Sequence, residues 1–350
     1  MMKIGRRALL LAALPGPTTA LAAAGLQFPR DHGSHPGEAI EWWYLTGLIG
    51  ADAKRPDYGY QLTFFSLRGP VHGEHPSPFA ARQLLLAHAA LSDIRGQRLH
   101  HDQRLARVGF EHARAAEGDS DLRLSDWTLK RTEQGYVAAI ASSTAGFALE
   151  LALQTTQAPL QQGEQGLSRK SAATFSHYYS QVQLQTRARL QIDGRPLQLR
   201  GRSWLDHEWS GQLLPPEAEG WDWLGINLDN GGALTAFRLR RADGSTLWTG
   251  GSWRKPDGSL RTFANGELAF EPQRRWRSEL SSAQYPVQWR IKSPLGELQL
   301  AALFDAQEVD ARRSTGMAYW EGVARLSDSR GQQIGLGYLE MTGYAGKMQL

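Results

Sequence analysis

The chain of 350 residues contains no cysteine. This absence excludes disulfide bridges, thiolate metal sites, cysteine nucleophiles and a lipid anchor carried on cysteine. The sequence also lacks runs of lysine and arginine that would form a phosphate-binding patch, so we expect no nucleic-acid partner. No apolar segment is long enough to cross a bilayer as a permanent helix, so we expect no stable membrane span.

Common catalytic fingerprints are missing as well. No G-x-S-x-G elbow, phosphate-binding loop or dinucleotide fingerprint follows a predicted strand. His32 and His35 have H-x-x-H spacing, but this spacing alone is not a zinc signature, and the pair lies in a segment rich in glycine and proline. The sequence therefore predicts no metal and no cofactor.

Residues 1–24 read as a secretory signal peptide. Lys3, Arg6 and Arg7 form a positive region, and a short apolar core follows at residues 8–14. Small residues around Ala22 and Ala24 are typical of a cleavage site. We therefore expect a periplasmic or secreted protein, and an uncleaved N-terminal anchor is the alternative. The general secretory and twin-arginine export routes both stay open.

The rest of the sequence has the pattern of short antiparallel strands. Residues 182–190 alternate between apolar and polar side chains, which indicates a strand with one buried face. Asp-Gly and Asn-Gly pairs, the dipeptides of tight hairpin turns, separate several such runs. Further strands are predicted at residues 60–66, 84–93, 136–141, 147–153, 233–240, 287–291, 297–303 and 334–342. No sustained amphipathic helical pattern occurs, so we predict an all-β protein.

A weak internal repeat indicates two related β domains. Residues 62–68 and 234–240 share the pattern Leu-Thr-x-Phe-x-Leu-Arg, and each run follows an aromatic-rich strand. A Leu-Leu-Pro-Pro junction begins at Leu213. We therefore place the signal peptide at 1–24, an N-terminal domain at 25–213 and a C-terminal domain at 214–350.

The segment with the most chemical potential is Asp206-His207-Glu208, with Trp204 before it and Trp209 after it. Each of the three titratable side chains can exchange a proton near neutrality if its surroundings shift the pKa. We therefore name Asp206, His207 and Glu208 as candidate catalytic residues. The alternative is a strand end held by ordinary salt bridges, such as a pair of Asp206 with Arg200 or Arg202.

Clusters that mix aromatic and polar side chains recur along the chain and predict a lumen for an elongated apolar ligand. The candidate ligand-binding residues are Trp42, Trp43, Tyr44, His177, Tyr178, Trp204, Trp209, Asp222 and Trp223. The segment 157–170, rich in glutamine and glycine, is predicted to be a mobile surface loop.

Six motifs together resemble the family of AttH proteins and carotenoid 1,2-hydratases, and most closely its branch of predicted secreted hydrolases. They are Phe28-Pro-Arg-Asp-His-Gly33, Glu41-Trp-Trp-Tyr-Leu-Thr-Gly47, Tyr58-Gly-Tyr-Gln-Leu-Thr-Phe-Phe65, Ser176-His-Tyr-Tyr-Ser180, Trp204-Leu-Asp-His-Glu-Trp209 and Gly337-Tyr-Leu-Glu-Met-Thr-Gly-Tyr344. The resemblance implies two lipocalin-like antiparallel β-barrel domains. Some members are encoded beside ABC-transporter components, which implies such a transporter as a partner. Relatives that guide cycloadditions share a similar fold, so the fold alone does not decide the reaction.

The hydratase branch implies a mechanism in which an alkene is first protonated, because a carbon–carbon double bond is a weak base. Asp206, kept neutral by its tryptophan neighbours, would be the proton donor. Aromatic faces would stabilise the tertiary cation, and His207 or Glu208 would take a proton from the attacking water. In a regular strand His207 faces away from Asp206 and Glu208, so we expect either Asp206 or His207 to face the site. A non-catalytic ligand carrier and a scaffold for pericyclic reactions are the alternatives.

Overall fold

The protein is described by a computed structural model, which describes residues 25–69, 77, 80–109 and 111–347. The predicted signal peptide lies outside these residues. A 3-10 turn at Arg30–His32 is the one helical element in the described part of the chain. No helix among the described residues combines the length and hydropathy needed to cross a membrane.

The first sheet has thirteen strands within the described part of the chain. In chain order they are β1 Ile40–Gly50, β2 Tyr58–Arg68, β3 Gln83–Asp93, β4 Arg98–Arg107, β5 Ala113–Ala115, β6 Asp121–Leu124, β7 Trp127–Thr132, β8 Gly135–Ser142, β9 Phe147–Gln154, β10 Leu160–Gln161, β11 Leu167–Arg169, β12 Phe175–Ile192 and β13 Arg195–Ser210.

Among the residues that the structure describes, the second sheet has ten strands. They are β14 Gly220–Leu228, β15 Ala233–Arg240, β16 Thr246–Arg254, β17 Leu260–Phe263, β18 Ala269–Arg277, β19 Gln284–Ser293, β20 Gly296–Ala302, β21 Glu308–Ala311, β22 Met317–Ser327 and β23 Gln333–Met341. The predicted strands at residues 297–303 and 334–342 each end one residue earlier in the structure.

Both sheets are antiparallel, and in both the first strand lies between the second strand and the last strand. In the first sheet β1 lies between β2 and the last strand, β13, and in the second sheet β14 lies between β15 and the last strand, β23. The two copies of the sequence repeat occupy β2 and β15, which are equivalent positions in this arrangement. The repeat therefore marks a real correspondence between the two halves of the chain.

The first sheet curls until its two edges approach each other. Strand β3 contacts β5 and β6 from the other end of the strand order. The side chain of Arg104 on β4 donates hydrogen bonds to Asp126 and to the carbonyl oxygen of Ala141, and so bridges the edges. The result is a nearly closed barrel, and the predicted all-β, lipocalin-like fold is confirmed.

The apolar faces of the strands form separate cores. One core fills the first sheet and includes Trp43 and Trp127. A second core fills the other sheet and includes Trp289 and Trp320. A third cluster joins the two sheets and includes Trp223. The chain passes from the first sheet to the second between Ser210 and Gly220. The predicted domain boundary at residues 213/214 lies in this connection.

The prediction of a mobile surface loop at residues 157–170 is wrong. Leu160 and Gln162 are buried, and the segment contains the short strands β10 and β11. The amide of Gln162 donates to the hydroxyl of Thr235 in the second sheet at 2.9 Å, and Arg254 donates to the carbonyl oxygens of Ala158 and Pro159. Polar composition suggested a loop, but these hydrogen bonds fasten the segment to the second sheet.

Candidate active site

A cavity lies between the two sheets and is enclosed by side chains from both. Its volume is about 70 Å³, whereas one ordered water requires roughly 10–15 Å³. It therefore has room for several waters or for part of a small ligand. Its walls are formed by Trp42, Tyr44, Thr63, Phe65, Lys170, Tyr178, Asp206, Glu208, Leu213, Leu214, Trp221, Trp223, Phe237, Leu239, Tyr319, Glu321 and Glu340.

Strand β13 divides the acid-histidine-acid segment between two environments. Asp206 and Glu208 line the cavity, whereas His207 is fully buried on the opposite face of the strand beside Trp43. The alternation of strand side chains produces this separation. Of the two expected candidates, Asp206 is therefore the one that faces the cavity.

Asp206 is buried and has no cationic partner in the described structure. Its Oδ1 atom accepts hydrogen bonds from the Ser180 hydroxyl at 2.5 Å and from the Trp204 indole at 2.7 Å. Its Oδ2 atom lies 2.8 Å from the Tyr178 hydroxyl. Burial outweighs these bonds and raises the pKa of Asp206 to about 7. The proposed salt bridge with Arg202 does not form, because Arg202 bonds Asp229 instead.

Tyr178 connects Asp206 to the second sheet. Its hydroxyl also accepts a hydrogen bond from the Trp223 indole at 3.1 Å. Because Trp223 donates to the phenol oxygen, the Tyr178 hydroxyl is held in place between the carboxyl group and the cavity wall. Burial and the neighbouring Asp206 keep the pKa of Tyr178 well above its ordinary value, so it remains a neutral hydrogen-bond donor.

Glu208 has a different role from its neighbour. Its carboxylate pairs with the Lys170 ammonium at 2.8 Å and accepts a 2.5 Å hydrogen bond from Ser176. Lys170 also lies 4.5 Å from the centroid of the Phe237 ring. The ion pair therefore leaves little net charge at this end of the cavity. Asp206, unlike Glu208, faces the apolar cavity wall without a cationic partner among the described residues.

Two further acids, Glu321 and Glu340, face the cavity from the second sheet. They lie directly opposite each other on β22 and β23. Burial and the nearby Glu340 raise the pKa of Glu321 well above its ordinary value. Burial raises the pKa of Glu340 to about 7, although its Oε2 atom accepts a hydrogen bond from Trp221. The cavity is thus bordered by acids that favour the neutral form.

The candidate ligand-binding residues fall into three groups. Trp42, Tyr44, Tyr178 and Trp223 line the cavity. Trp204 stands behind Asp206 as a hydrogen-bond donor and packs edge to face on Trp223. The remaining four, Trp43, His177, Trp209 and Asp222, lie outside the lining, so the structure does not bring all nine together.

Asp222 is placed on the opposite face of β14 from Trp221 and Trp223. Its Oδ2 atom accepts two hydrogen bonds from Arg238, at 2.9 and 2.7 Å, and pairs with Arg240 at 3.1 Å. Tyr344 donates to Oδ1 at 2.8 Å. This carboxylate therefore has a full set of structural partners within the second sheet and does not reach the cavity.

Trp43, His177, Trp209 and His207 belong to a separate network at the end of the first barrel. Trp209 stacks on His177 and on His35, with ring centroids 5.3 and 3.8 Å apart. Burial lowers the pKa of His207, which keeps this imidazole neutral. Its Nε2 atom lies 2.8 Å from Glu41 Oε1 and its Nδ1 atom 3.2 Å from the Tyr179 hydroxyl. The network ties the segment around residues 30–35 onto β1, β12 and β13.

His35, Glu41 and His207 also have the donor types of a zinc site, so the distances decide between metal and hydrogen bonds. The two imidazole nitrogens lie 2.7 and 2.8 Å from the same oxygen, Glu41 Oε1. Ligands around tetrahedral zinc, with bonds near 2.0–2.1 Å, are separated by roughly 3.3 Å. Glu41 Oε2 is occupied by Ser34 and by the backbone amide of His35. The arrangement fits hydrogen bonds.

Several cavity residues were not identified from the sequence, chiefly Lys170, Glu321 and Glu340. Glu340 lies inside the motif Gly337-Tyr-Leu-Glu-Met-Thr-Gly-Tyr344, which is the signal that could have identified it. Glu321 follows Tyr319 and Trp320 and has the same mix of acid and aromatics as Glu41-Trp42-Trp43. Lys170 carries no such signal, because the register of β11 beside β12 brings it to Glu208.

The chain is similar to known proteins along nearly its whole length. The model of the AttH-like family matches residues 19–344. A crystal structure of a candidate AttH from Nitrosomonas europaea is 40% identical in sequence, with a TM-score of 0.85, and the match covers 93% of this chain and 98% of that one. Kievitone hydratase from Nectria haematococca is 14% identical, with a TM-score of 0.68 over 91% and 93% of the two chains, which shows a shared fold. No curated protein matches the sequence.

Proposed function

Because the chain belongs to the AttH-like family, whose fold it shares with a hydratase, we propose that it adds water to a carbon–carbon double bond of an apolar, isoprenoid-like ligand. The observation that carries this proposal is the environment of Asp206. A neutral carboxylic acid beside an apolar cavity can protonate an alkene, whereas an ionised carboxylate cannot. Asp206 lines the cavity, is buried, and has a pKa raised to about 7.

The reaction begins with proton transfer from the Asp206 carboxyl group to one alkene carbon. The π electrons form the new C–H bond, and the other carbon becomes a tertiary cation beside the rings of Trp42 and Trp223. Aromatic faces stabilise a cation through their quadrupole. Water then adds to this carbon and loses a proton to the Asp206 carboxylate, which restores the acid and leaves an alcohol.

The residues that assist this cycle are those that surround Asp206. Tyr178 and Ser180 hold the carboxyl group in place. Glu208 lies on the same face two residues further along β13 and is a second acceptor for the proton of the water, and the Lys170 ammonium holds its carboxylate in place. His207, the other base considered from the sequence, lies in the barrel interior and has no access to the cavity.

A ligand carrier is the main competing function, because it requires the aromatic walls but no acid. The acids facing the cavity favour an enzyme, because burying a titratable group without a cationic partner is costly and such groups cluster at functional sites. Turnover distinguishes the two functions, since a carrier binds isoprenoid probes but returns them unchanged.

The hydration rate should fall as pH rises through about 7, because the pKa of Asp206 is about 7 and only the protonated acid can donate. The measurement is kcat as a function of pH for an isoprenoid alkene that the protein hydrates. Glu340 also has a pKa of about 7, so Glu340→Gln serves as the control and should keep the same inflection. A rate that is flat or rises between pH 6 and 8 would contradict the role of Asp206 as acid (roughly one pH unit on either side of its pKa).

A further inference from the structure

Two buried polar atoms on the cavity wall make no hydrogen bond of ordinary geometry in the described structure. They are the hydroxyl oxygen of Tyr44 and Oε1 of Glu321. Both side chains line the cavity, and both are at least nine-tenths buried, with exposed fractions of 5% and 3%. Such atoms cost free energy when they are left unpaired, and they point to a ligand group that completes them.

The two atoms come from different sheets. Tyr44 lies on β1 directly opposite Asp206 on β13, and Glu321 lies on β22. The Tyr44 and Tyr319 hydroxyls lie close to the Glu321 carboxyl group and, as hydrogen-bond donors, favour its ionised form. Burial and Glu340 have the larger effect and raise its pKa. Tyr319 is already bonded to His88 at 2.9 Å, so Tyr44 is the hydroxyl that remains open. The pair therefore forms one polar position bridging the sheets.

The protonation state of this position decides which ligand group it accepts. Glu321 is held neutral, and burial also keeps the Tyr44 phenol protonated. A neutral carboxylic acid and a phenol each carry an O–H donor. Two O–H donors on the same cavity wall can both bond one hydroxyl or carbonyl oxygen, which offers two lone pairs. A neutral Glu321 has little tendency to take up a proton, so it is poorly suited to activate the attacking water.

We propose that Tyr44 and Glu321 bind a hydroxyl or carbonyl oxygen of the ligand, so that the substrate is an uncharged isoprenoid-like alkene that carries an oxygen function. This inference rests on the proposed function and narrows its substrate class. The aromatic side chains Trp42, Phe65 and Trp223 contact the hydrocarbon part. The Tyr44–Glu321 position fixes the oxygen, and Asp206 then meets the double bond.

The test is a binding comparison with three probes of the same skeleton: geraniol, geranylamine and the hydrocarbon that lacks geraniol's hydroxyl group. Tryptophan fluorescence reports binding, because Trp42 and Trp223 line the cavity. The wild-type protein should bind geraniol about tenfold more tightly than the hydrocarbon, the size of one net hydrogen bond. Equal affinity would overturn the proposal and mean that the position holds water only. Tighter binding of geranylamine would overturn it in favour of a cation.

Variants assign the effect to the two residues. Tyr44→Phe and Glu321→Gln should each reduce the preference for geraniol over the hydrocarbon, with little change in affinity for the hydrocarbon itself. Tyr58→Phe removes a phenol oxygen away from the cavity and should keep the preference. Loss of affinity for all probes together with a lower melting temperature would indicate that the variant is misfolded. The affinities of the wild-type protein for the three probes would then decide whether the proposal holds.

The probe affinities are measured independently of turnover. If geraniol is preferred but never hydrated, the proposed function fails while the oxygen-binding position stands. If an isoprenoid hydrocarbon is hydrated and bound as tightly as its alcohol, the proposed function stands and the oxygen-binding position fails.

Discussion

Asp206→Asn should abolish turnover while leaving ligand affinity nearly unchanged. Asparagine has almost the same shape as aspartic acid and can still accept hydrogen bonds from Ser180 and Trp204 at Oδ1. It has no acidic proton to transfer to an alkene. Because the lost interaction exists only in the transition state, the loss appears in kcat and not in binding. Positioned acids contribute about 10²–10⁴-fold to rate, so residual activity should fall below about one per cent.

The same variant separates three accounts of the site when melting temperature, probe affinity and product formation are measured together. A structural carboxylate predicts that Asp206→Asn lowers all three. A carrier predicts unchanged binding and no product from either protein. Glu150→Gln is a suitable control, since Glu150 is exposed on β9 and only weakly paired with Arg189 at 3.8 Å. Full activity of Asp206→Asn would remove Asp206 from the mechanism.

Glu41→Gln should produce the largest loss of stability among the residues discussed. Glu41 accepts hydrogen bonds from His35, His207, Ser34 and the His35 backbone amide. The amide group of glutamine would turn a donor toward some of these donors. Each buried donor left without a partner costs about 1–3 kcal/mol, so we expect the free energy of unfolding to fall by at least about 3 kcal/mol.

The pH dependence of stability provides a second readout for Glu41. The hydrogen bonds from His207 and His35 lower the pKa of Glu41 to about 2 despite its burial. Because this pKa lies below the ordinary glutamate value of 4.5, ionised Glu41 stabilises the folded state fully at pH values above that ordinary pKa. The stability is lost as the pH falls toward 2. The wild-type protein should therefore lose melting temperature across this range, and Glu41→Gln should lose less. Equal acid sensitivity of the two proteins would show that the network does not depend on this carboxylate.

The fold could be predicted because its signals are local. Period-two alternation marked strands such as β12 and β13, and Asp-Gly or Asn-Gly pairs marked turns. The same alternation predicts from the sequence alone that His207 faces away from Asp206 and Glu208. The repeat indicated two related β domains, and its two copies lie on β2 and β15, which occupy equivalent positions beside β1 and β14.

The full set of cavity residues could not be predicted because it depends on pairing between distant strands. Glu321 and Glu340 lie nineteen positions apart, and only the register of β22 with β23 brings them together. Asp222 shows the opposite error, because its place between Trp221 and Trp223 suggested a site. The sequence does not reveal that Arg238 on the neighbouring strand neutralises it on the other face of β14. Burial and partners, which set the pKa, are properties of the folded chain.

Transfer of a proton from the protein to an alkene carbon is the central claim, and deuterium incorporation measures it directly. The wild-type protein is incubated in D₂O with isoprenoid alkenes, geraniol included, and the products are analysed by mass spectrometry and NMR. We predict an alcohol that carries one non-exchangeable deuterium on the carbon next to the new hydroxyl-bearing carbon, and no such product with Asp206→Asn. Ligands that bind tightly and are recovered without deuterium on carbon would contradict the hydratase account and identify the protein as a carrier.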